Sequence, residues 1–424
     1  MPTISRVAGD TIIELVYDAE RQQTGLAVSR FGGLWNIEQE VRIGQELLVP
    51  YSATNNLIAH GSVLFAARPE HHGDKVELLG EIETFLNRYV DLSPVFAHIA
   101  AHYILLSWVN DAFNELPYLR FQGDYGTGKT RGLLAIGLLC YKPFFASGAS
   151  TVSPIFHILD TFGGTLLLDE ADFRFSDATA ELVKILNNGT MKGLPVLRTM
   201  QTKDRELNPR AFRVFGPKIV AMRGSYEDEA LESRFLSENM NLRHLREDIP
   251  INLPAEMHTE ALTIRNKLLH FRFCMLFETR LNSTLVAREL EPRLNQIALP
   301  LLSLVDEQPL IQTIREHLVE QRASGVHMRD RRLLVAIIQT LRVMFADDAV
   351  ASVQVREILD HLNRSMSDGP KTSKQLGIVL RRQLGIRIHK SHGFHAVGRS
   401  ELSAINAAAA RLGIEHHVAL TVSS

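Results

Sequence analysis

Gly123-Asp-Tyr-Gly-Thr-Gly-Lys-Thr130 decides the fold, because it fits the phosphate-loop pattern of two spaced glycines followed by lysine and a hydroxyl residue. A strand-like run, Tyr118-Leu-Arg-Phe-Gln122, precedes it, and an apolar run at 132–140, long enough for a buried helix, follows it. In this setting the loop N–H groups and the helix dipole bind phosphates, which argues against a chance match in a glycine-rich turn. The sequence therefore predicts an ATP site formed by Gly123, Asp124, Tyr125, Gly126, Thr127, Gly128, Lys129 and Thr130. Lys129 is expected to reach the β- and γ-phosphates, and Thr130 to hold Mg²⁺.

A second motif, Leu166-Leu-Leu-Asp169-Glu170, lies 40 residues after Lys129 (169 − 129 = 40). The leucines predict a buried parallel strand with two carboxylates at its C-terminal end. The spacing leaves room for one helix, one strand and a second helix. Asp169 is predicted to bind Mg²⁺ through water, and Glu170 to act as general base on the attacking water. Without the phosphate loop, the same letters would indicate only an ordinary strand end.

The segment 191–213 is rich in lysine and arginine and contains only two acidic residues, Asp204 and Glu206. Its apolar ends, at 196–197 and 211–212, are expected to pair as a hairpin with a charged tip. A solvated surface loop is the alternative for any charge run, but the position between the Asp-Glu strand and the next strand, at 218–222, favours a hairpin that grips nucleic-acid phosphates. The predicted DNA-binding residues in this segment are Lys192, Arg198, Lys203 and Arg205.

Polar residues further along are candidates for sensing the γ-phosphate or for completing the site. Arg223 and Ser225 directly follow the strand predicted at 218–222. Arg234 lies between helix and strand signals, where ring ATPases place the finger that completes a neighbour's site, and a structural salt bridge is the alternative. Arg265 is a candidate second sensor, with a salt bridge in a helical lid as an equal alternative.

The block 118–235 resembles an AAA+ ATPase, and most of all the helicase modules of phage and mobile-element replication proteins, which are related to superfamily 3 and mini-chromosome-maintenance helicases. The resemblance rests on the phosphate loop, on residues 166–172, and on the stretches 213–218 and 231–234. It implies an α/β fold with a P-loop AAA+ core built on a parallel sheet. It also implies a ring, with six subunits as the expected number, in which Arg234 serves the neighbouring site.

The whole-chain composition sets limits on these interpretations. The formal net charge of -2 means that any nucleic-acid surface must be local. The only cysteines, Cys140 and Cys274, lie in apolar runs, which indicates reduced thiols and argues against a disulfide framework or a Cys-based zinc site. The apolar run 95–113 contains several polar side chains, so a core helix is expected and no membrane span. Reduced thiols suit a cytoplasmic protein, and the residues after Met1 do not form a signal-peptide pattern.

Five segments are predicted: a β-rich module at 1–75, the ATPase core with its leading helices at 76–240, a helical lid and helical region at 241–345, a winged helix at 346–400 and a tail at 401–424. The winged-helix prediction rests on a helix–turn–helix pattern followed by a small hairpin. Residues 371–399 contain seven lysines and arginines and no acidic residue. This excess favours nucleic-acid binding over a protein-docking module, and the predicted DNA-binding residues are Lys374, Arg381, Arg382, Arg387 and Lys390.

The sequence thus predicts an ATP- and Mg²⁺-dependent DNA helicase or translocase that forms a ring and acts, with possible replication partners, in the replication of a phage or mobile element. The alternative is a nucleotide-switched ATPase that controls assembly of a partner complex, such as a loader, a transposition regulator or an antiviral complex. A winged-helix regulator with a degenerate ATPase is disfavoured, because every catalytic residue type is present.

Overall fold

The structure is a computed structural model that describes residues 1–30, 32–147, 151–171, 177–201, 207–226, 228–242, 245–287, 290–365, 370, 372–391, 394–411 and 414. The chain divides into two compact units, Met1–Leu318 and Val319–Ser424. Among the helices in these ranges, none combines the length and apolar character needed to span a lipid bilayer.

The N-terminal part of the first unit consists mainly of short strands. They are β1 (Pro2–Thr3), β2 (Ser5–Ala8), β3 (Thr11–Asp18), β4 (Gln23–Arg30), β5 (Trp35–Glu38), β6 (Val41–Ile43) and β7 (Glu46–Pro50), followed by the short helix α1 (Asn56–Ala59). β2 to β5 form a four-stranded antiparallel sheet in chain order, while β1, β7 and β6 form a three-stranded sheet. The run Ser62-Val-Leu-Phe-Ala66 also predicts a strand, but no strand forms there, since Val63 makes only an isolated bridge with Phe144.

Two helices lead into the central sheet, α2 (Lys75–Tyr89) and α3 (Pro94–Trp108). Asp74 and Glu77 form a capping box at the start of α2. Ser93 caps α3, whose first residue is a proline. α3 is buried over most of its length, so the apolar run at 95–113 belongs to the protein core.

The central part alternates strands and helices. Its elements are β8 (Tyr118–Gln122), α4 (Lys129–Gly137), β9 (Phe144–Ser147), α5 (Val152–Phe162), β10 (Leu166–Asp169), α6 (Asp177–Asn188), β11 (Val196–Gln201), β12 (Leu207–Phe212), β13 (Lys218–Met222), α7 (Glu229–Glu232) and β14 (Phe235–Asn239). Five of the strands form a parallel sheet in the order β14-β8-β13-β10-β9. The helix, strand and helix predicted between Lys129 and Asp169 are therefore present as α4, β9 and α5.

The parallel sheet is buried on both faces, and its side chains alternate between two cores. In β10, Leu167 lies in the core shared with α3 and α4, whereas Leu166 and Leu168 lie in the core shared with α5 and α6. Residues of the N-terminal strands contribute to both cores. Burial on both faces explains why these strands are short apolar runs without polar alternation.

Three helices follow the sheet: α8 (Glu256–Met275), α9 (Pro292–Leu302) and α10 (Gln308–Met344). The apolar pattern over 281–305 predicts one helix, which is wrong in its first half, because the chain forms only a short 3-10 turn at Ser283–Leu285 before the proline that starts α9. The apolar patterns at 309–318 and 331–345 predict two separate helices, but both stretches belong to one helix of 37 residues. The sequence between them contains no proline to break it.

The second unit contains β15 (Ser352–Gln354), α11 (Val355–Ser365), α12 (Ser373–Arg382), β16 (His389–Ser391), β17 (Phe394–Gly398) and α13 (Leu402–Arg411). The three strands form an antiparallel sheet in the order β15-β17-β16. Apolar residues of α11, α12 and α13 share one core with the sheet. The predicted pair of helices followed by a hairpin is present, although the first hairpin strand begins at His389 and not at the predicted position 386.

Candidate active site

The phosphate loop joins the C-terminal end of β8 to the N-terminus of α4, the edge of a parallel sheet where ligands of α/β proteins bind. Gly126 and Gly128 have φ angles of 75° and 90°, which side-chain-bearing residues rarely adopt. A Cβ on Gly123 would lie 2.7 Å from the Thr127 hydroxyl. The glycines of the motif are thus required by backbone geometry and by close packing.

Side chains and backbone hold the loop in a closed curve. The Thr127 hydroxyl donates to the Asp124 carbonyl at 2.9 Å, and the Lys129 ammonium donates to the same carbonyl at 2.5 Å. The Asp124 N–H donates to Oδ1 of Asn241 at 2.7 Å. Asn241 follows β14, and nothing in the sequence around it indicates this contact. The loop is therefore supported by a residue that sequence reasoning missed.

The carboxylate motif lies beside the loop, as the two motifs predict. β13 separates β8 from β10 in the sheet, so the two strands that carry the motifs are about 10 Å apart. The Thr130 hydroxyl spans this gap and donates to Asp169 Oδ2 at 2.8 Å. A hydroxyl and a carboxylate in contact are oxygen ligands of the kind that Mg²⁺ prefers, so these two residues fit a magnesium site.

Glu170 has an unusual backbone conformation, with a φ angle of 53°. Its N–H donates to Asp169 Oδ1 at 2.9 Å, and the next N–H, of Ala171, donates to the Ala221 carbonyl at 3.0 Å. The turn that ends β10 is therefore fixed against β13. Strained residues of this kind concentrate at functional sites.

These groups line one cavity of about 350 Å³, within the usual range for small-molecule sites. The lining includes the loop from Tyr125 to Thr130 together with Asp169, Glu170 and two arginines. One of them, Arg131, donates to the carbonyls of Tyr89 and Ile251. Sequence reasoning missed Arg131, although its place next to Thr130 was a signal.

The sensor candidates lie in different places. Arg223 lines the cavity, with its guanidinium 3.7 Å from the ring centroid of Tyr125. Ser225 accepts a hydrogen bond from Gln122 at 3.2 Å. Arg265 is buried away from the cavity lining and donates to the Leu138 carbonyl at 2.7 Å, and burial lowers its pKa to about 10. Of the three, only Arg223 lines the cavity.

Arg234 directly precedes β14 and lies at the sheet edge opposite the phosphate loop, on the order of 20 Å from it along the strand direction. Its side chain is too short to reach the cavity of its own chain. The guanidinium donates to Asn187, its Nε has no partner among the described residues, and burial together with Arg293 lowers its pKa. The preceding helix α7 is fixed by Glu232, which binds Arg120 of β8 at 2.6 Å.

The predicted basic hairpin is present as β11 and β12, which pair antiparallel from Val196–Phe212 to Gln201–Leu207. Arg198 forms an ion pair with Glu181 of α6 at 3.0 Å. Lys192 lies before the hairpin and donates to the Asp111 carbonyl at 2.5 Å. Two of the four predicted DNA-binding side chains therefore have intramolecular partners. The other two, Lys203 and Arg205 at the predicted tip, lie outside the described residues.

The predicted DNA-binding residues of the second unit all lie on exposed positions: Lys374, Arg381, Arg382, Arg387 and Lys390. Arg381 and Arg382 occupy the last turn of α12, and Lys390 lies in β16. Arg387 contacts the carboxylate of Glu401 at 3.3 Å but keeps 91% of its side chain exposed. The unit thus presents cationic groups to solvent on a helix end and a strand.

No protein-family model matches this chain, and no curated protein matches it. Among solved structures, the NrS-1 C-terminal region is 12% identical with a TM-score of 0.34, over 91% of this chain and 96% of that one. The SCCmec type IV Cch active helicase is 13% identical with a TM-score of 0.41, over 96% of each chain. An inhibitor-bound JCV helicase is 14% identical with a TM-score of 0.25, over 61% and 63% of the chains. All three TM-scores are below 0.5, so the function proposed below rests on the residues of the site.

Proposed function

We propose that this protein is an ATPase whose hydrolysis site is the cavity between the phosphate loop and the end of β10. The observation that carries the proposal is the contact between Thr130 and Asp169 at 2.8 Å, which joins two motifs 39 residues apart at the mouth of the phosphate loop. A chance phosphate-loop match would not require an acidic strand end at this position. Lys129 and Glu170 line the same cavity.

Each residue has a distinct role in the proposed reaction. The loop N–H groups and Lys129 bind the phosphates of ATP, and Arg223 lies where it can contact the terminal phosphate. Thr130 and Asp169 hold Mg²⁺, which neutralises charge on the phosphate oxygens when bound. Glu170 accepts the proton of the attacking water.

We further propose that hydrolysis drives movement on DNA within a ring of subunits, six being the expected number. Arg234 supports the ring, because it lies at the sheet edge away from its own cavity, so that as a finger it would act on a neighbour's site. The basic hairpin and the cationic second unit, a winged helix in this proposal, supply two groups of phosphate contacts. A replication motor of a phage or mobile element is the function that combines these parts.

The test of the hydrolysis site is Glu170→Gln, measured with and without single-stranded DNA. The variant should bind ATP as the wild type does and lose turnover by at least about 100-fold, because a positioned base contributes 10²–10⁴. Glu256→Gln, at an exposed position in the first turn of α8, removes the same charge and should leave turnover unchanged. Undiminished hydrolysis by the Glu170 variant would show that this carboxylate is not the base.

The DNA arm of the same experiment separates a motor from a nucleotide switch. Wild-type turnover should rise with single-stranded DNA and lose that stimulation as salt is added, because phosphate contacts are salt-sensitive. If DNA left turnover unchanged and only a partner protein stimulated it, the result would favour the nucleotide-switched ATPase.

The ring proposal is tested by mixing two inactive variants. Arg234→Ala should lose hydrolysis and keep its nucleotide affinity, since its own cavity is intact. Mixing it with Lys129→Ala should restore part of the activity, because some interfaces then combine an intact loop with an intact finger. Co-assembled rings without rescue at any mixing ratio would contradict shared sites and leave Arg234 as a structural residue.

A further inference from the structure

A second cluster of chemically reactive side chains lies in the first unit, apart from the residues that line the ATP cavity. His72, His270 and Cys274 each offer one potential ligand atom, and these atoms all lie within 4.8 Å of one another. Nδ1 of His72 is 2.7 Å from Nδ1 of His270, and the sulfur of Cys274 is 3.9 Å from the same His270 nitrogen. Both histidines are buried and the cysteine is partly exposed.

The fold builds this cluster from segments that are far apart in sequence. Asn266, His270 and Cys274 follow one another at four-residue intervals, so they share one face of α8. Asn266 fixes the segment that carries His72: its Oδ1 accepts from the Ala67 N–H at 2.9 Å, and its carbonyl accepts from the Glu70 N–H at 3.0 Å. The histidine pair is thus held by hydrogen bonds one helical turn away.

A glycine turn covers the cluster from a third side. Gly33 has a φ of 98°, and a Cβ on it would lie 2.6 Å from the Cys274 sulfur. Burial, followed by the nearby His72 and His71, lowers the pKa of His270 to about 4, while a hydrogen bond to the Gly33 backbone acts in the other direction. Burial also lowers the pKa of His72.

We propose that His72, His270 and Cys274 form a binding site for a borderline-soft divalent metal ion, zinc being the ion that this ligand set fits best. Two imidazoles and one thiolate are zinc ligands, and three protein ligands leave the fourth tetrahedral position to water or to His71, whose ring centroid is 4.6 Å from that of His270. Ligand atoms on one tetrahedral zinc are about 3.3–3.6 Å apart, so the two histidines must separate by about half an ångström. The hydrogen bond from His270 to the Gly33 backbone is the outer contact that commonly orients a metal-binding histidine.

The alternative is a plain histidine–histidine hydrogen bond with a cysteine nearby on the helix. It explains the 2.7 Å contact but not why a glycine turn, a thiol and two imidazoles converge at one point. The sequence argued against a Cys-based zinc site because its only two cysteines lie in apolar runs. The proposed site needs only one of them. Bound metal would join the segment before α2 to α8, with ligands 198 residues apart.

Cobalt(II) is the probe, because a cobalt–thiolate bond gives a near-ultraviolet charge-transfer band and tetrahedral cobalt absorbs in the visible. Full-length protein without nucleotide should bind one cobalt with both signals, and zinc should displace it. Cys274→Ser should lose the charge-transfer band. His72→Ala should weaken cobalt binding at least tenfold, and zinc should raise the Tm of the wild type but not of these variants.

Two matched variants serve as controls. His258→Ala removes an exposed histidine from the same helix, and Cys140→Ala removes the other thiol, and both should bind cobalt as the wild type does. The proposal is overturned if wild-type protein shows no thiolate band with cobalt in excess, or if the band persists in Cys274→Ser. His72 lies outside the helix, so its variant keeps the test valid if a change within α8 prevents folding.

Discussion

The protein uses a lysine with carboxylates in two opposite environments. At the phosphate loop, Lys129 and the two acidic residues at the end of β10 line an open cavity. In the first unit's core, Lys142 binds Glu14 at 2.9 Å, and Arg272 binds the same carboxylate at 2.8 Å, with all three side chains at most 4% exposed. The buried charges satisfy one another, whereas those at the loop line a cavity. Accessibility, and not the residue pair itself, therefore marks the site.

The buried group also links distant parts of the chain. Glu14 lies in β3, Lys142 precedes β9, and Arg272 lies in α8, where it also holds Asp111 at 2.7 Å. Tyr141 donates its hydroxyl to Glu14 at 2.7 Å. The Lys142 and Arg272 side chains hold the pKa of Glu14 below its usual value, although burial opposes them. We therefore expect stability to depend on this group and catalysis to depend on the loop.

The largest expected effect is the loss of stability in Glu14→Ala. Removing this carboxylate leaves buried Lys142 without an acidic partner, and breaking a buried pair costs about 3–5 kcal/mol. Urea unfolding followed by tryptophan fluorescence measures it, because both tryptophans, Trp35 and Trp108, lie in the first unit. The control is Glu38→Ala, since Glu38 forms a more exposed pair with Arg30 at 3.0 Å and should cost about 1 kcal/mol or less. Equal losses in the two variants would contradict the comparison.

The second prediction compares the loss of the loop lysine, Lys129, with the loss of the buried lysine, Lys142. Lys129→Ala should lower kcat by about 10²–10³, equivalent to about 3–4 kcal/mol, with little change in Tm, because it removes a preorganised positive charge from the cavity and not from the core. Lys142→Met should lower Tm but keep its turnover at temperatures where the chain is folded. Steady-state ATPase assays and thermal unfolding of both variants measure this. If either variant lost both turnover and thermal stability, catalysis and stability would not depend on separate lysines.

The third prediction concerns Lys218, which is buried without a carboxylate partner among the described residues. Its ammonium donates to carbonyls, including that of Val214 at 2.7 Å, and burial lowers its pKa to about 7. The unfolded chain then binds more protons than the folded chain between pH 7 and about 10, so stability from this group rises with pH.

In Lys218→Met this pH dependence should disappear. The difference in unfolding free energy between the wild type and the variant should shift by up to about 1.4 kcal/mol per pH unit above pH 7, in favour of the wild type. Urea unfolding at pH 7.0, 8.0 and 9.0 (about one unit apart) measures the shift. Lys184→Met, at an exposed position of α6, is the control. If the unfolding free energies of the wild type and Lys218→Met changed with pH in parallel, the lowered pKa of Lys218 would be refuted.

The smallest expected effect concerns charges that serve neither the core nor the loop. Arg381→Ala combined with Arg382→Ala should remove about two phosphate contacts. The slope of log K for DNA binding against log salt concentration should therefore fall by about two units. ATPase activity at saturating DNA should persist. Arg356→Ala combined with Arg364→Ala removes the same charge from exposed positions of α11 and should change the salt slope less. Equal slopes for the two double variants would indicate a general charge effect and no defined surface.

Local motifs made the phosphate loop, β8, β10 and the β11–β12 hairpin predictable, because each is specified by residues close in sequence. The break within 281–305 does have a local signal, because Pro292 occupies the first turn of α9, a position where proline commonly starts a helix. Asn241 supports the loop from a position 117 residues after Asp124, and the metal cluster joins ligands still further apart. Such contacts form only when the sheet and α8 are assembled, so no local sequence pattern can predict them.

The alternation of β10 between two cores also limits how this chain can change its length during evolution. Inserting one residue between Leu166 and Asp169 would exchange the core-facing sides of the leucines and turn the carboxylate away from Thr130. The segments joining α4 to β9 and β9 to α5 face no such constraint, because loop length alters the free energy only slowly. Related sequences should therefore vary in the number of residues between Lys129 and Leu166, yet keep the four positions of β10 free of insertions and deletions.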